Sequence, residues 1–282
     1  MNPFRNIREY LACKPSPKPA PVRTFPNRFA EEVEPIATGN RPRCHCLEKD
    51  ERSKWRGEVT FHGEVQDEEC AGWQRMLHLV DEAAADNRVE FTPRRDMTYE
   101  EWAQLVTLPP TIAKLKSVKR LLLYGSHLVR IPPEIGEMEA LEEFIPYTSC
   151  RLHWLPYEIT RCKNLTDSTV STRHLYGNFK FHPPFPRLQP NLDSTAGLPM
   201  DRMAPETWGC DRIESCSVCG RSLKATGLHQ VWITLWVGTD HLPLLVNACS
   251  DGCVKSLPKP PDGYVARPHK GGLGVAQPPT EP

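Results

Sequence analysis

The chain has 282 residues, room for one or two compact domains. Its 35 Lys and Arg balance 35 Asp and Glu, so no net charge draws it to nucleic acid or to an anionic membrane. It has no run of 18 apolar residues that would span a membrane. Its 11 cysteines, odd in number and unevenly spaced, suit reduced thiols in the cytoplasm better than a disulfide scaffold.

Residues 1–43 carry frequent prolines, Pro15, Pro17, Pro19 and Pro21 among them, and are expected to form a flexible or polyproline arm. Phe4, Ile7 and Leu11 give Met1–Lys14 an amphipathic flavour, without the continuous apolar stretch of a signal peptide. Residues 44–107 read as a helical cap. Cys44-His45-Cys46, with His62 and Cys70 downstream, offers metal-ligand side chains. The C-x-C spacing departs from the usual knuckle, so a second metal site and a loop with incidental thiols both stay open. From Cys70 to Asp86, Trp73, Met76, Leu77, Val80 and Ala84 share one helical face. Asp67 or Glu68 near its start would suit the helix dipole. Thr98 and Glu101 form a capping-box pair ahead of Trp102, Leu105 and Val106 and predict a second helix.

From 108 to 177 the chain repeats itself. Leu115, Val118, Leu121, Leu123, Leu128, Ile131, Pro132 and Ile135 recur, one step on, as Met138, Leu141, Phe144, Pro146, Leu152, Leu155, Pro156 and Ile159. A degraded third unit follows through Cys162, Leu165, Ser168, Val170 and Leu175. The period and the phrase Leu-Pro-x-x-Ile-x-x-Leu resemble the leucine-rich repeat family. The resemblance covers about a quarter of the chain and implies an α/β fold: a short solenoid in which each unit gives one strand and a return segment, buried only by stacking. The family's turn Asn is replaced by Ser126, Ser149 and Arg173. Serine can make the same bond more weakly; arginine is a poor substitute.

Residues 178–209 are proline-rich again and are expected to link or wrap. Residues 210–258 hold Cys216-x-x-Cys219 and Cys249-x-x-x-Cys253. Two close pairs across a hairpin-sized gap suit one tetrahedral Zn2+ ion; two disulfides, inert thiols or iron–sulfur chemistry are the alternatives. Gly220 allows the turn that aims N–H groups at sulfur. Val231–Val237 reads as a strand, Gly238-Thr239-Asp240 as a turn and Leu244–Val246 as the return strand. After Cys249, the stretch through Val254 to Leu257 predicts a short helix ended by Pro258. Knuckle, hairpin and helix together resemble a treble-clef or zinc-ribbon module, and the whole arrangement is similar to bacterial leucine-rich repeat proteins that carry such modules. A full set of four thiolates leaves no open coordination position, which implies a structural ion. Residues 259–282 form an expected flexible tail.

In the repeat family the residues flanking the strand leucines face outward on the concave side. Here those are Arg120, Tyr124 and His127 in the first unit, Glu143 and Tyr147 in the second, and His174 in the third. Tyr124 and Tyr147 hold equivalent positions and are expected to stack. No phosphate-binding loop, nucleophile elbow or metalloprotease helix is present. The expectation is a non-catalytic protein-interaction module with an unidentified protein partner. The alternatives are a zinc-dependent, nucleic-acid-associated regulator, which neutral charge disfavours, and a cysteine-dependent enzyme built on His127, Cys150 and His174.

Overall fold

Cys70, itself in extended backbone after a short turn, opens the first helix. Its Sγ accepts a hydrogen bond from the Trp73 N–H at 3.4 Å, satisfying one of the donors that a helix start leaves over. The computed structural model describes residues 64–149, 151–170, 213–223 and 227–270, all within a unit spanning Thr38–Pro282. Helix α1 (Ala71–Ala85) buries Trp73, Met76 and Val80 of the expected stripe together with Leu79 and Ala83, while Leu77 and Ala84 lie at its edge, partly buried. The first turn holds no acidic side chain. Asp67 lies before it and accepts from the Glu69 N–H at 2.9 Å, so a local turn takes the place of the expected dipole contact. Helix α2 (Tyr99–Ala103) carries both bonds of the Thr98–Glu101 capping box.

Four short strands lie parallel in one sheet: β1 (Glu90–Phe91), β2 (Arg120–Leu122), β3 (Glu143–Ile145) and, beyond the second sheet's β4 (Leu155–Pro156), β5 (Asp167–Ser168). Register puts Phe91, Leu121, Phe144 and Ser168 in one buried row, and Glu90, Arg120, Glu143 and Asp167 in the opposite, outward row. Strand β1 extends the sheet ahead of the first repeat; the sequence pointed only to helices there. Behind the sheet, 3-10 turns at Pro110–Lys114, Pro133–Glu137 and Tyr157–Arg161 stack on one another. Their closeness depends on Gly136: a Cβ there would lie 2.6 Å from the Glu158 carbonyl oxygen.

Between strand and return segment, two serines replace the turn Asn. Ser126 and Ser149 hydroxyls meet at 2.6 Å, and the Ser149 hydroxyl donates to the Leu123 carbonyl at 3.0 Å. Both are buried, so the pair satisfies backbone that would otherwise be stranded from water.

The second sheet joins the cysteine-rich segment to the repeats. Strands β6 (His229–Val237) and β7 (Asp240–Ala248) pair antiparallel, and β7 runs parallel to β4 (Leu155↔Leu244, Pro156↔Leu245). The hairpin is longer at both ends than its apolar run suggested. Nor does β6 alternate between a packed face and a solvent face: all its residues from Gln230 to Leu235 are buried. Trp232 is fully buried, 5.8 Å from Trp154 of the second repeat, and its backbone pairs with His269 on the other side. The helix expected after Cys249 is α3 (Asp251–Lys255), which stops short of Leu257; the Ser250 hydroxyl caps its start, accepting from the Cys253 N–H at 3.2 Å.

The hairpin turn closes the edge of the first sheet. Gly238 takes φ +59°, the position where a two-residue II′ turn requires glycine. A Cβ there would also lie 2.7 Å from the Asp167 carbonyl carbon. Thr239 Oγ1 donates to the Ser168 carbonyl at 2.7 Å, Ser168 Oγ donates to the Val237 carbonyl at 2.6 Å, and the Val170 N–H donates to buried Asp240 Oδ2 at 3.2 Å. Ser168 stands where the repeat pattern calls for leucine because its hydroxyl anchors this turn.

Candidate functional sites: a four-thiol cluster and an aromatic face

Two loops and one helix bring four sulfurs together. Cys216 and Cys219 flank a tight turn in which the Gly220 N–H donates to the Cys216 carbonyl at 2.9 Å, with Gly220 at φ +73°. Cys249 follows β7, and Cys253 lies one turn further on, in α3. The four sulfurs lie within 4.8 Å of one another; Cys219–Cys249 is 3.6 Å and Cys249–Cys253 is 3.5 Å. None of the four is disulfide-bonded. The Cys219 and Cys249 N–H groups approach Cys216 Sγ at 3.5 and 3.4 Å, aimed as donors toward a thiolate. The Arg221 backbone N–H, and then its side chain, hold Cys219 down to about 6; hydrogen bonds to Cys219 and then to Cys253 push Cys249 up to about 12. Four thiolates this close repel one another unless a cation sits among them. Number, donor chemistry and spacing fit a metal ion held by these four cysteines.

The knuckle is wired to the repeats through Ser217. Its N–H donates to the Asn247 carbonyl at 2.8 Å and its hydroxyl accepts from the Asn247 N–H at 3.0 Å. Arg161, at the end of the third 3-10 turn, donates to the Ser217 carbonyl at 3.0 Å. Buried Glu158 on the same turn bonds to Ser217; burial pushes its carboxyl up, and Ser217 and Arg161 oppose that shift. The sequence reading missed Ser217, Glu158 and Arg161. One signal was present: Glu134 and Glu158 hold the same place, just before the isoleucine, in successive repeats.

On the outward face of the first sheet, Tyr124 and Tyr147 stack with centroids 5.7 Å apart and planes 30° apart, each 44% exposed. The turns beneath them need positive φ, +62° at Gly125 and +60° at Thr148. His127 packs edge-on against Tyr99 at 6.2 Å, and the Arg94 guanidinium lies over the Tyr99 ring, 5.5 Å from its centroid. Arg120 bridges Glu90 and Glu143, both at 2.9 Å, giving the face a charged border. The structure thus places Arg120, Tyr124, Glu143 and Tyr147 on one sheet face, with His127 at its rim. His174 and Cys150 lie outside the described residues, as do Cys44, Cys46 and His62 of the suggested second metal site; Cys70 of that set caps α1.

No family model matches the chain, and no curated protein does. Among solved structures, a leucine-rich repeat protein of Leptospira interrogans is similar at 22% identity, over 29% of this chain and 26% of that chain, with a TM-score of 0.21. The alignment therefore spans about a quarter of that protein, and so slight a likeness decides neither fold nor function. Among the described residues no helix is long and apolar enough to cross a membrane.

Proposed function

We propose that this chain is a non-catalytic protein-interaction module: a short leucine-rich repeat solenoid whose concave face, centred on Tyr124 and Tyr147, binds a protein partner, and whose C-terminal end is closed by a structural zinc module. The exposed, stacked tyrosine pair carries the reading. Two large rings kept 44% exposed on a strand face offer apolar area at low entropic cost together with hydroxyl tips, the profile of interface anchors. Arg120 and Glu143 supply a polar rim.

Zinc suits the thiol cluster best. Zinc–thiolate bonds of about 2.3 Å in a tetrahedron separate sulfurs by about 3.8 Å. The 3.5 and 3.6 Å contacts and the 4.8 Å limit bracket that spacing.

Two measurements test the reading. Metal analysis of the purified chain should return one zinc per chain, lost when Cys249→Ser and Cys253→Ser are combined. Tyr124→Ala with Tyr147→Ala should abolish partner capture from native lysate with little loss of stability, whereas Leu123→Ala should cost roughly 2–5 kcal/mol in denaturant unfolding. Equal destabilisation by the tyrosine pair would make them core residues.

A further inference from the structure

Behind the sheet, on the side of the return segments, a cleft of about 910 Å³ runs between the segment before α1, the 3-10 turns and the cysteine knuckle. That volume is within the range of ligand sites. Its wall is one-sided in charge: Asp67, Glu68, Glu134, Glu158 and Glu214 face it, against Arg161. Much of this charge is locally solvated and would mean nothing alone. Glu158 is different. It is 4% exposed, and its Oε2 is buried without a hydrogen-bond partner. Burial biases this carboxyl toward its neutral form, and a ligand's N–H⁺ beside Oε2 would favour the carboxylate and satisfy the oxygen that now lacks a donor. Beside it, Trp154 and Pro156 give the cleft an apolar floor. Such a floor takes the methylene stem of a lysine or arginine while the head reaches a carboxylate, and an indole adds attraction for the cation.

We infer that this cleft is a second docking site, distinct from the tyrosine face, which accepts a lysine- or arginine-bearing peptide segment of a partner protein with Glu158 as the buried counter-ion. The occupant is chosen on charge complementarity: acid on the wall, one unpartnered carboxylate oxygen within it and an apolar floor between. Glu158 bonds to Ser217 of the knuckle, and Arg161 donates to the Ser217 carbonyl. A peptide engaging Glu158 therefore touches the same short linkage that holds the thiol cluster to the repeats.

The test uses the full, metal-loaded chain and a fluorescein-labelled hexalysine peptide, followed by anisotropy. Saturable binding is expected. Glu158→Gln should weaken it about tenfold or more, the worth of one charge-assisted contact. Tyr124→Ala with Tyr147→Ala should leave it unchanged, which separates this site from the face proposed above. Glu100→Gln, an exposed acid on α2, controls for general charge. If Glu158→Gln does not fold, Glu68→Gln with Glu134→Gln takes its place, with the same loss expected. Absence of saturable binding, or an equal loss in Glu100→Gln, overturns the site. Displacement by spermine at the same concentration as unlabelled peptide would overturn the peptide assignment.

Discussion

Ser168 shows how a single departure from pattern acquires a reason in three dimensions. Leucine at that place would complete the row Phe91, Leu121 and Phe144. The serine hydroxyl instead donates to the Val237 carbonyl, with Thr239 closing over its backbone. Ser168→Leu, which restores the repeat consensus, is therefore expected to destabilise the chain, by about 1–3 kcal/mol in urea unfolding, because it removes the hydroxyl's bond to the Val237 carbonyl and overpacks the turn. A gain in stability would mean that the turn does not dock there. His269 offers a second test. Burial holds its imidazole down to about 4, so the folded state resists a proton that the unfolded chain takes up near pH 6.5. The sign follows: this residue's cost to stability is absent at neutral pH, appears as pH falls through about 6.5, and grows until about 4, where the folded state binds the proton too. His269→Phe should flatten the loss of stability across that window in denaturant titrations at stepped pH.

The elements differ in how plainly their residues announced them. The Leu-Pro-x-x-Ile phrases marked the strands and returns because their apolar spacing is set by neighbours in sequence. Thr98 and Glu101 marked α2 for the same local reason. Cys216, Cys219, Cys249 and Cys253 were legible because two close pairs on either side of a hairpin form a spacing that brings four thiols to one point. Strand β1 was not: two residues carry no period, and Glu90–Phe91 becomes a strand only by pairing with Arg120 and Leu121. The Ser217–Glu158–Arg161 linkage was hidden likewise, since it joins residues nearly 60 positions apart. The direct pairing of β4 with β7 sets an expectation at this scale. If the thiol cluster holds a structural ion, removing it should loosen β7 and, through Leu155 and Pro156, the repeats. Hydrogen exchange with and without chelator should then show lost protection across residues 118–160 as well as 216–257. Loss confined to the second window would show two independent units.

At the scale of the molecule, the described residues form two sheets of different character, one parallel and built from repeats, the other a hairpin added to the second repeat. The hairpin turn reaches from the second sheet to the last strand of the first. Its side chains occupy hydrogen-bonding groups that β5 would otherwise turn outward: the Ser168 N–H lies 3.2 Å from Thr239 Oγ1, and the Val170 N–H 3.2 Å from Asp240 Oδ2. An open parallel edge invites another strand, from a further repeat or from another chain, and is the usual starting point of edge-to-edge aggregation. Here the turn acts as a stopper on that growth. Thr239→Ala with Asp240→Ala should unblock the edge, and the variant is expected to show concentration-dependent self-association by light scattering where the parent chain shows none. Resistance to self-association in this chain would then rest on the turn's side chains, the more so because a net charge of zero gives little repulsion between copies.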